Sequence, residues 1–221
     1  MVSKSIYPAF QTQSRAIASY NYFDIAEGTG VKVFNGAAVD VSGSQTILTS
    51  QEIDGGGFYQ DNDCDYITLT HSPIEDTYTS FELTPFNTPK TINGKAYIRG
   101  TCFIHTTGTP GMTWKIQASV YKNDTELGSQ YGALMTYSNK ADIHDTFYTF
   151  NIPVEISRTH FKKGDILKVK IYGNTQSWGT GTGLYILHDP INRQYTTGDD
   201  TNDTTKNPSS FKVYIPFEID I

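Results

Sequence analysis

From Leu167 to Tyr172 the chain alternates: Leu167, Val169 and Ile171 face one way, and Lys168, Lys170 and Tyr172 face the other. That is the period of a strand with one buried face. The run follows Phe161-Lys162-Lys163-Gly164-Asp165, a turn signal, and a second β-patterned run precedes that turn from Thr146. The same pattern recurs along nearly the whole chain. The clearest predicted strands are Ala96 to Thr106, with Ile98, Cys102 and Ile104 on one face, and Thr113 to Tyr121, with Trp114, Ile116, Ala118 and Val120 on one face. Between them, Thr107-Gly108-Thr109-Pro110-Gly111 reads as a hairpin-type connection, because Gly and Pro punctuate it.

The pattern predicts strands over 31–35, 38–41, 45–49, 65–70, 79–84, 95–106, 112–121, 130–136, 146–154, 165–172, 183–188 and 211–219, and no helix of ordinary length. So many strands at this spacing imply an all-β chain, a two-sheet antiparallel sandwich of the jelly-roll type. An immunoglobulin-like sandwich fits less well, since its Cys, Trp, Cys arrangement is absent, and no fixed-period repeat suggests a propeller or solenoid. Residues 1–30 read as an extended N-terminal arm carrying Tyr20, Tyr22 and Phe23, aromatics that predict packing on the arm's own domain or on a neighbour. Residues 31–221 are expected to form a single sandwich domain. Two loops stand out: 173–183, which sets Trp178 among small residues, and 190–210, long and polar.

Composition supports this reading. Of 221 residues, 37% are hydrophobic and 18% charged, and there are 15 Tyr and 12 Phe, enough for a core whose surface must be covered largely by Ser, Thr, Asn and Gly. The first residues lack the apolar run of a secretory signal, and no stretch approaches the ~20 apolar residues of a membrane span, so a soluble protein with no membrane partner is expected. Two cysteines, Cys64 and Cys102, are too few for a disulfide framework and read as buried free thiols. The net charge of −6 is uneven: no Lys or Arg lies between Lys32 and Lys90, while acidic residues run from Asp40 through Glu82. Such a surface repels phosphate backbones and argues against direct nucleic-acid binding.

Candidate chemistry is sparse. Asp61, Asp63 and Asp65 alternate in Asp61-Asn62-Asp63-Cys64-Asp65, which in an extended segment puts three carboxylates on one side, as a Ca²⁺ site would need. The EF-hand pattern fails, with Tyr66 where Gly is required and Ser72 where Glu is required, so a solvated acidic turn is the competing reading. No other cofactor is implied. The histidines His71, His105, His144, His160 and His188 form no close metal-type pair. Ser138, Asp142, His144 and Asp145 could be drawn as a hydrolytic set, but no Gly-x-Ser-x-Gly elbow accompanies them, and no catalytic residue is assigned. Trp178 and the tyrosines are the contact candidates, either stacking on sugar rings, anchoring a protein interface or, for Trp178, folding back on its own sheet.

Three segments resemble jelly-roll virion proteins of tailed phages and related viruses: Tyr22-Phe23-Asp24-Ile25-Ala26-Glu27-Gly28-Thr29-Gly30, Phe161-Lys162-Lys163-Gly164-Asp165-Ile166-Leu167, and Leu187-His188-Asp189-Pro190-Ile191-Asn192-Arg193. The resemblance implies a non-enzymatic virion structural protein, a capsid decoration (cement) or minor capsid protein. It would be assembled in the host cytoplasm as a trimer or pentamer among other capsid proteins. Under it the arm contacts neighbours through Tyr20, Tyr22 and Phe23, and the two loops face outward. The alternative is a carbohydrate-binding or receptor-binding sandwich module of the tail or fibre type, with a glycan as partner and Trp178 as its contact.

Overall fold

A computed structural model describes residues 29–38, 46–50, 64–68, 78–105, 113–136, 147–175, 183–188 and 210–218. These residues form strands and no helix: β1 (Thr29–Ala38), β2 (Thr46–Thr49), β3 (Cys64–Thr68), β4 (Tyr78–Leu83), β5 (Lys90–His105), β6 (Thr113–Lys122), β7 (Thr125–Tyr131), β8 (Met135–Thr136), β9 (Phe147–Phe161), β10 (Leu167–Thr175), β11 (Gly183–Leu187) and β12 (Phe211–Glu218). The all-β sandwich is what the alternation predicted. Residues 1–28, with most of the expected arm, lie outside the described part; Thr29 and Gly30 already pair with Glu218 and Phe217.

One layer runs β9-β5-β12-β1, with β11 and then β3 flanking the far half of β5. The other runs β4-β10-β6-β7, with β8 against the start of β6. Strand β2 joins them, antiparallel to β1 and parallel to β4. The pairing is otherwise antiparallel, so the sheet is mixed and does not close. At the opposite edge β7 lies on β9: a Cβ added at Gly128 would collide with the carbonyl oxygen of Glu155.

The inward faces fill the space between layers. Leu167, Val169 and Ile171 of β10 and Trp114, Ile116, Ala118 and Val120 of β6 are fully buried, as their alternation requires. Across the gap the Phe81 ring of β4 stacks on Phe211 of β12, with centroids 4.2 Å apart, and Trp114 meets Tyr148 of β9 edge-on at 5.2 Å. Cys102 is a buried free thiol, and burial pushes its pKa up.

Connectivity departs from expectation at three places. The expected hairpin pairing across 107–111, a segment outside the described residues, is not made: β5 pairs with β9, β11 and β12 whereas β6 pairs with β10, β7 and β8. Gly and Pro mark where a strand stops but not which strand the next one joins. The hairpin here is β6–β7, turned on Asn123-Asp124, with Asn123 in the left-handed region at φ 54°. Asn tolerates that conformation better than other non-glycine residues. Finally, β9 continues past residue 154 to Phe161, whose ring is buried against Phe86 rather than placed in a turn.

Candidate functional site

The strands that send their apolar residues inward present a second set outward. Register aligns Tyr78, Tyr172, Gln117 and Tyr131 in one row across β4, β10, β6 and β7. Ser80, Lys170, Ser119 and Ser129 form the next row, and Glu82, Lys168, Tyr121 and Glu126 the one beyond. Tyr78 and Tyr131 are each 37% exposed, large rings left facing solvent.

Charge on this face is ordered by the rings. The Lys170 ammonium stands 4.0 Å from the Tyr78 centroid and 4.7 Å from that of Tyr121, and Lys115 stands 3.8 Å from that of Tyr131. Such contacts hold a cation in place without neutralising it. Lys168 is different, bridging Glu82 at 3.1 Å and Asp124 at 3.2 Å. Tyr121 donates to Glu126 Oε2 at 3.0 Å. Its only hydroxyl proton is thereby used, so the 3.2 Å contact with Tyr172 is a proton given by Tyr172. Burial, then the hydrogen bonds with Tyr172 and Glu126, push the Tyr121 pKa up and keep it a neutral donor. Ser80 Oγ, Ser119 Oγ and Gln117 Oε1, on the same rows, are buried with no hydrogen-bond partner among the described residues.

The outer face of the other layer carries an apolar strip beside a polar row of Lys212, Arg99 and Asn151. Val33, Tyr214, Tyr97 and Pro153 are aligned by register, with Val31 and Pro216 beside them. Val31 is 40%, Val33 36% and Tyr97 41% exposed. Arg99 borders this strip, its guanidinium 5.9 Å from the Tyr214 ring.

The residues singled out from sequence mostly fall elsewhere. Tyr20, Tyr22, Phe23, Trp178, Asp61 and Asp63 lie outside the described residues, as do Ser138, Asp142, His144 and Asp145. Asp65 lies in β3, paired with Ile186 of β11. Among the described residues no group of three or more His, Cys, Asp or Glu could hold a metal ion. His188 is fully buried, edge-on to Phe81 at 5.6 Å, while His160 is exposed and within 3.3 Å of Thr91 Oγ1. The tyrosine–lysine face was missed, although its signal was present in the outward residues of the β10 alternation, Lys168, Lys170 and Tyr172.

No protein-family model matches the chain, and no curated protein matches it. Among solved structures it is similar to a CocE/NonD family hydrolase from Staphylococcus aureus, at 12% identity and a TM-score of 0.54, over 86% of this chain and 37% of that one. A second structure of that hydrolase gives a TM-score of 0.50 at 11% identity, over the same shares of the two chains. The chain therefore spans little more than a third of the hydrolase it matches, and at this identity the likeness shows a shared fold. The infectious bursal disease virus VP2 subviral particle is also similar, at 12% identity over 87% of this chain and 60% of that one, but its TM-score of 0.28 carries no argument.

This overturns the expectation of a non-enzymatic virion structural protein, and with it the alternative of a tail-type binding module. The better-superposing fold is one that a hydrolase contains. The physical reason is that the turn and alternation signals report how a jelly-roll layer closes over its core, and that packing problem is the same in a shell and in an enzyme.

Proposed function

We propose that this chain is the β-sandwich part of a hydrolytic protein, and that a hydrolytic unit packs on the strip formed by Val31, Val33, Tyr97 and Tyr214. The observation that carries the reading is the fold likeness to the CocE/NonD hydrolase, which takes in 86% of this chain but 37% of that one. A sandwich matching a minor share of a hydrolase needs a surface for the remainder, and the exposed valines and tyrosine supply one. Covering them is favourable at roughly 25 cal/mol per Å² of apolar surface removed from water.

The test is hydrolysis of chromogenic esters and aminoacyl anilides by two preparations, the isolated chain and the assembly recovered through a tagged chain. Turnover in the assembly, lost when Val33→Asp and Tyr97→Asp are introduced together, is the expected result. Turnover by the isolated chain would move the chemistry onto the sandwich and overturn the docking role. No hydrolysis in either preparation would overturn the whole reading.

A further inference from the structure

We propose that Asn93 is a site of spontaneous covalent modification, in which the Gly94 backbone nitrogen attacks the Asn93 side-chain carbonyl and water then leaves aspartate or isoaspartate in β5. The proposal stands apart from the hydrolase reading and rests on how differently the fold treats the two Asn-Gly pairs of the chain.

Those pairs are Asn35-Gly36 and Asn93-Gly94. In each, the residue after Asn has no Cβ to keep its nitrogen away from the Asn carboxamide. The fold closes the first pair. Asn35 is laddered to Lys212 of β12 on one side and to Thr49 of β2 on the other, and it is 5% exposed. A Cβ at Gly36 would collide with the Phe211 and Phe81 rings, so the backbone there has no room to shift.

The second pair is left open. The register of β5 against β9 shifts between Ile92 and Gly94, and its pairing with β12 stops at Tyr97 and resumes at Ile92. Asn93 therefore has no partner residue in either ladder, the position of the extra residue in a bulge. Gly94 stands at φ 107°, a Cβ there would meet only the Pro216 ring at 3.9 Å, and both residues are partly exposed. Among the described residues the Asn93 side chain is held by one long hydrogen bond, from Nδ2 to Glu218 Oε1 at 3.3 Å.

The reaction balances with water alone. A bond forms from Gly94 N to Asn93 Cγ, the Cγ–Nδ2 bond breaks, and ammonia leaves carrying the Gly94 N–H proton, which closes a succinimide ring. Water opens that ring at Cγ to give aspartate, or at the backbone carbonyl carbon to give isoaspartate, whose main chain runs through the former side chain. Either product changes this end of the sheet. Glu218 accepts from Arg158 Nε and Nη2, each at 2.8 Å, and Arg158 thereby holds its carboxyl below the ordinary range and charged. Conversion removes the Nδ2 donor and sets a second carboxylate beside Glu218. The two then compete for Arg158, and the link of β5 to β9 and β12 is weakened.

The test ages the folded full chain and a urea-denatured sample in the same mildly alkaline buffer. Both Asn-Gly peptides are followed by chromatography and mass spectrometry that separate asparagine, aspartate and isoaspartate. In the folded chain Asn93 is expected to convert at least ~10-fold faster than Asn35, with isoaspartate among the products, and in urea the two are expected to convert at similar rates. Asn93→Gln is expected to stop conversion at this position, because the longer side chain must close a larger ring. Asn93→Asp is expected to melt below the wild type at low salt, with a gap that narrows as salt rises. The converted wild type, separated by ion exchange, is expected to do the same, so a variant that fails to fold does not remove the measurement. Similar rates for Asn35 and Asn93 in the folded chain, an Asn93 that converts only in urea, or conversion without isoaspartate would each overturn the site. Converted protein that melts with the wild type would overturn the effect on the Glu218 link.

Discussion

Asn123 and Asp165 bind one another across the two turns at one end of the sandwich. The Asn123 amide donates to Asp165 Oδ1 at 3.1 Å, and Asn123 Oδ1 accepts from the Ile166 N–H at 2.8 Å. Asp165 Oδ2 accepts from the Lys162 N–H at 2.7 Å and meets the Lys122 ammonium at 3.0 Å. Backbone bonds from Phe86 to the Asp165 carbonyl and from Gly164 to the Phe86 carbonyl complete the corner. The β6–β7 hairpin and the β9–β10 crossing are thus joined through two short polar side chains, and the backbone bonds of Phe86 add the segment after β4. This is the physical content of the Lys-Lys-Gly-Asp turn signal: Gly164 supplies the φ of 92°, and Asp165 satisfies the N–H that the turn leaves open.

Loss of the Asp165 carboxylate is expected to destabilise the fold in a pH-dependent way. The Lys162 N–H, then the Asn123 amide and the Lys122 ammonium, hold its pKa at about 2, below the ordinary 3.8. A folded-state value below the unfolded one means that the contribution is complete above pH ~4 and lost as pH falls from there toward ~2. The melting temperature of Asp165→Ala is expected below that of the wild type at pH 7, with the gap closing across that acid window. A gap that stays constant down to pH ~2 would show that the carboxylate charge plays no part.

Phe81→Ala is expected to cost about 3–5 kcal/mol, as removal of a fully buried aromatic does. Phe81 stacks on Phe211 and touches the edge of His188, so the cavity would open where the two layers meet. Urea denaturation monitored by fluorescence reads this directly; a cost below ~1 kcal/mol would mean that the layers collapse onto the gap.

Gly128→Ala is expected to cost about 1–3 kcal/mol by overpacking. The obstacle to a Cβ there is the carbonyl oxygen of Glu155, a backbone atom that cannot rotate away. Faster amide exchange along β7 than along β10 in the variant would place the damage at the β7–β9 edge, and uniform exchange would argue against a local effect.

Cys102 is expected to resist alkylation in the folded protein. Burial disfavours its thiolate, and the sulfur lies 3.6 Å from the Tyr148 carbonyl, to which it donates. Since the thiolate is the reactive species, labelling at this residue, read by peptide mass spectrometry, should be at least ~10-fold slower at pH 8 before denaturation than after.

Much of the sandwich was legible because alternation is a local property. Residues 167–172 and 113–121 declare their buried faces in the sequence, and each of those faces is buried. β7 was not legible: Thr125 to Tyr131 contains Glu126, Gly128, Ser129 and Gln130 and shows no apolar period, because it is an outer strand largely exposed to solvent. What makes it a strand is hydrogen bonding to β6, and that cannot be seen within seven residues. The missing residues of the expected contacts have a different cause, since Tyr20, Tyr22, Phe23 and Trp178 lie outside the described part of the fold.

The sequence by itself determined the all-β class, most strand positions, the inward faces of β6 and β10 and the turn at Gly164, since each depends on neighbours within a few positions. Only the tertiary structure decided that β5 and β6 fall in different layers, that β2 joins the layers in parallel with β4, and that Tyr78, Lys115, Tyr121, Tyr131 and Lys170 share one face. Those relations are set by which strand edges pair across tens of residues. The hydrogen bonds that set them come from the backbone, which every residue but proline carries alike.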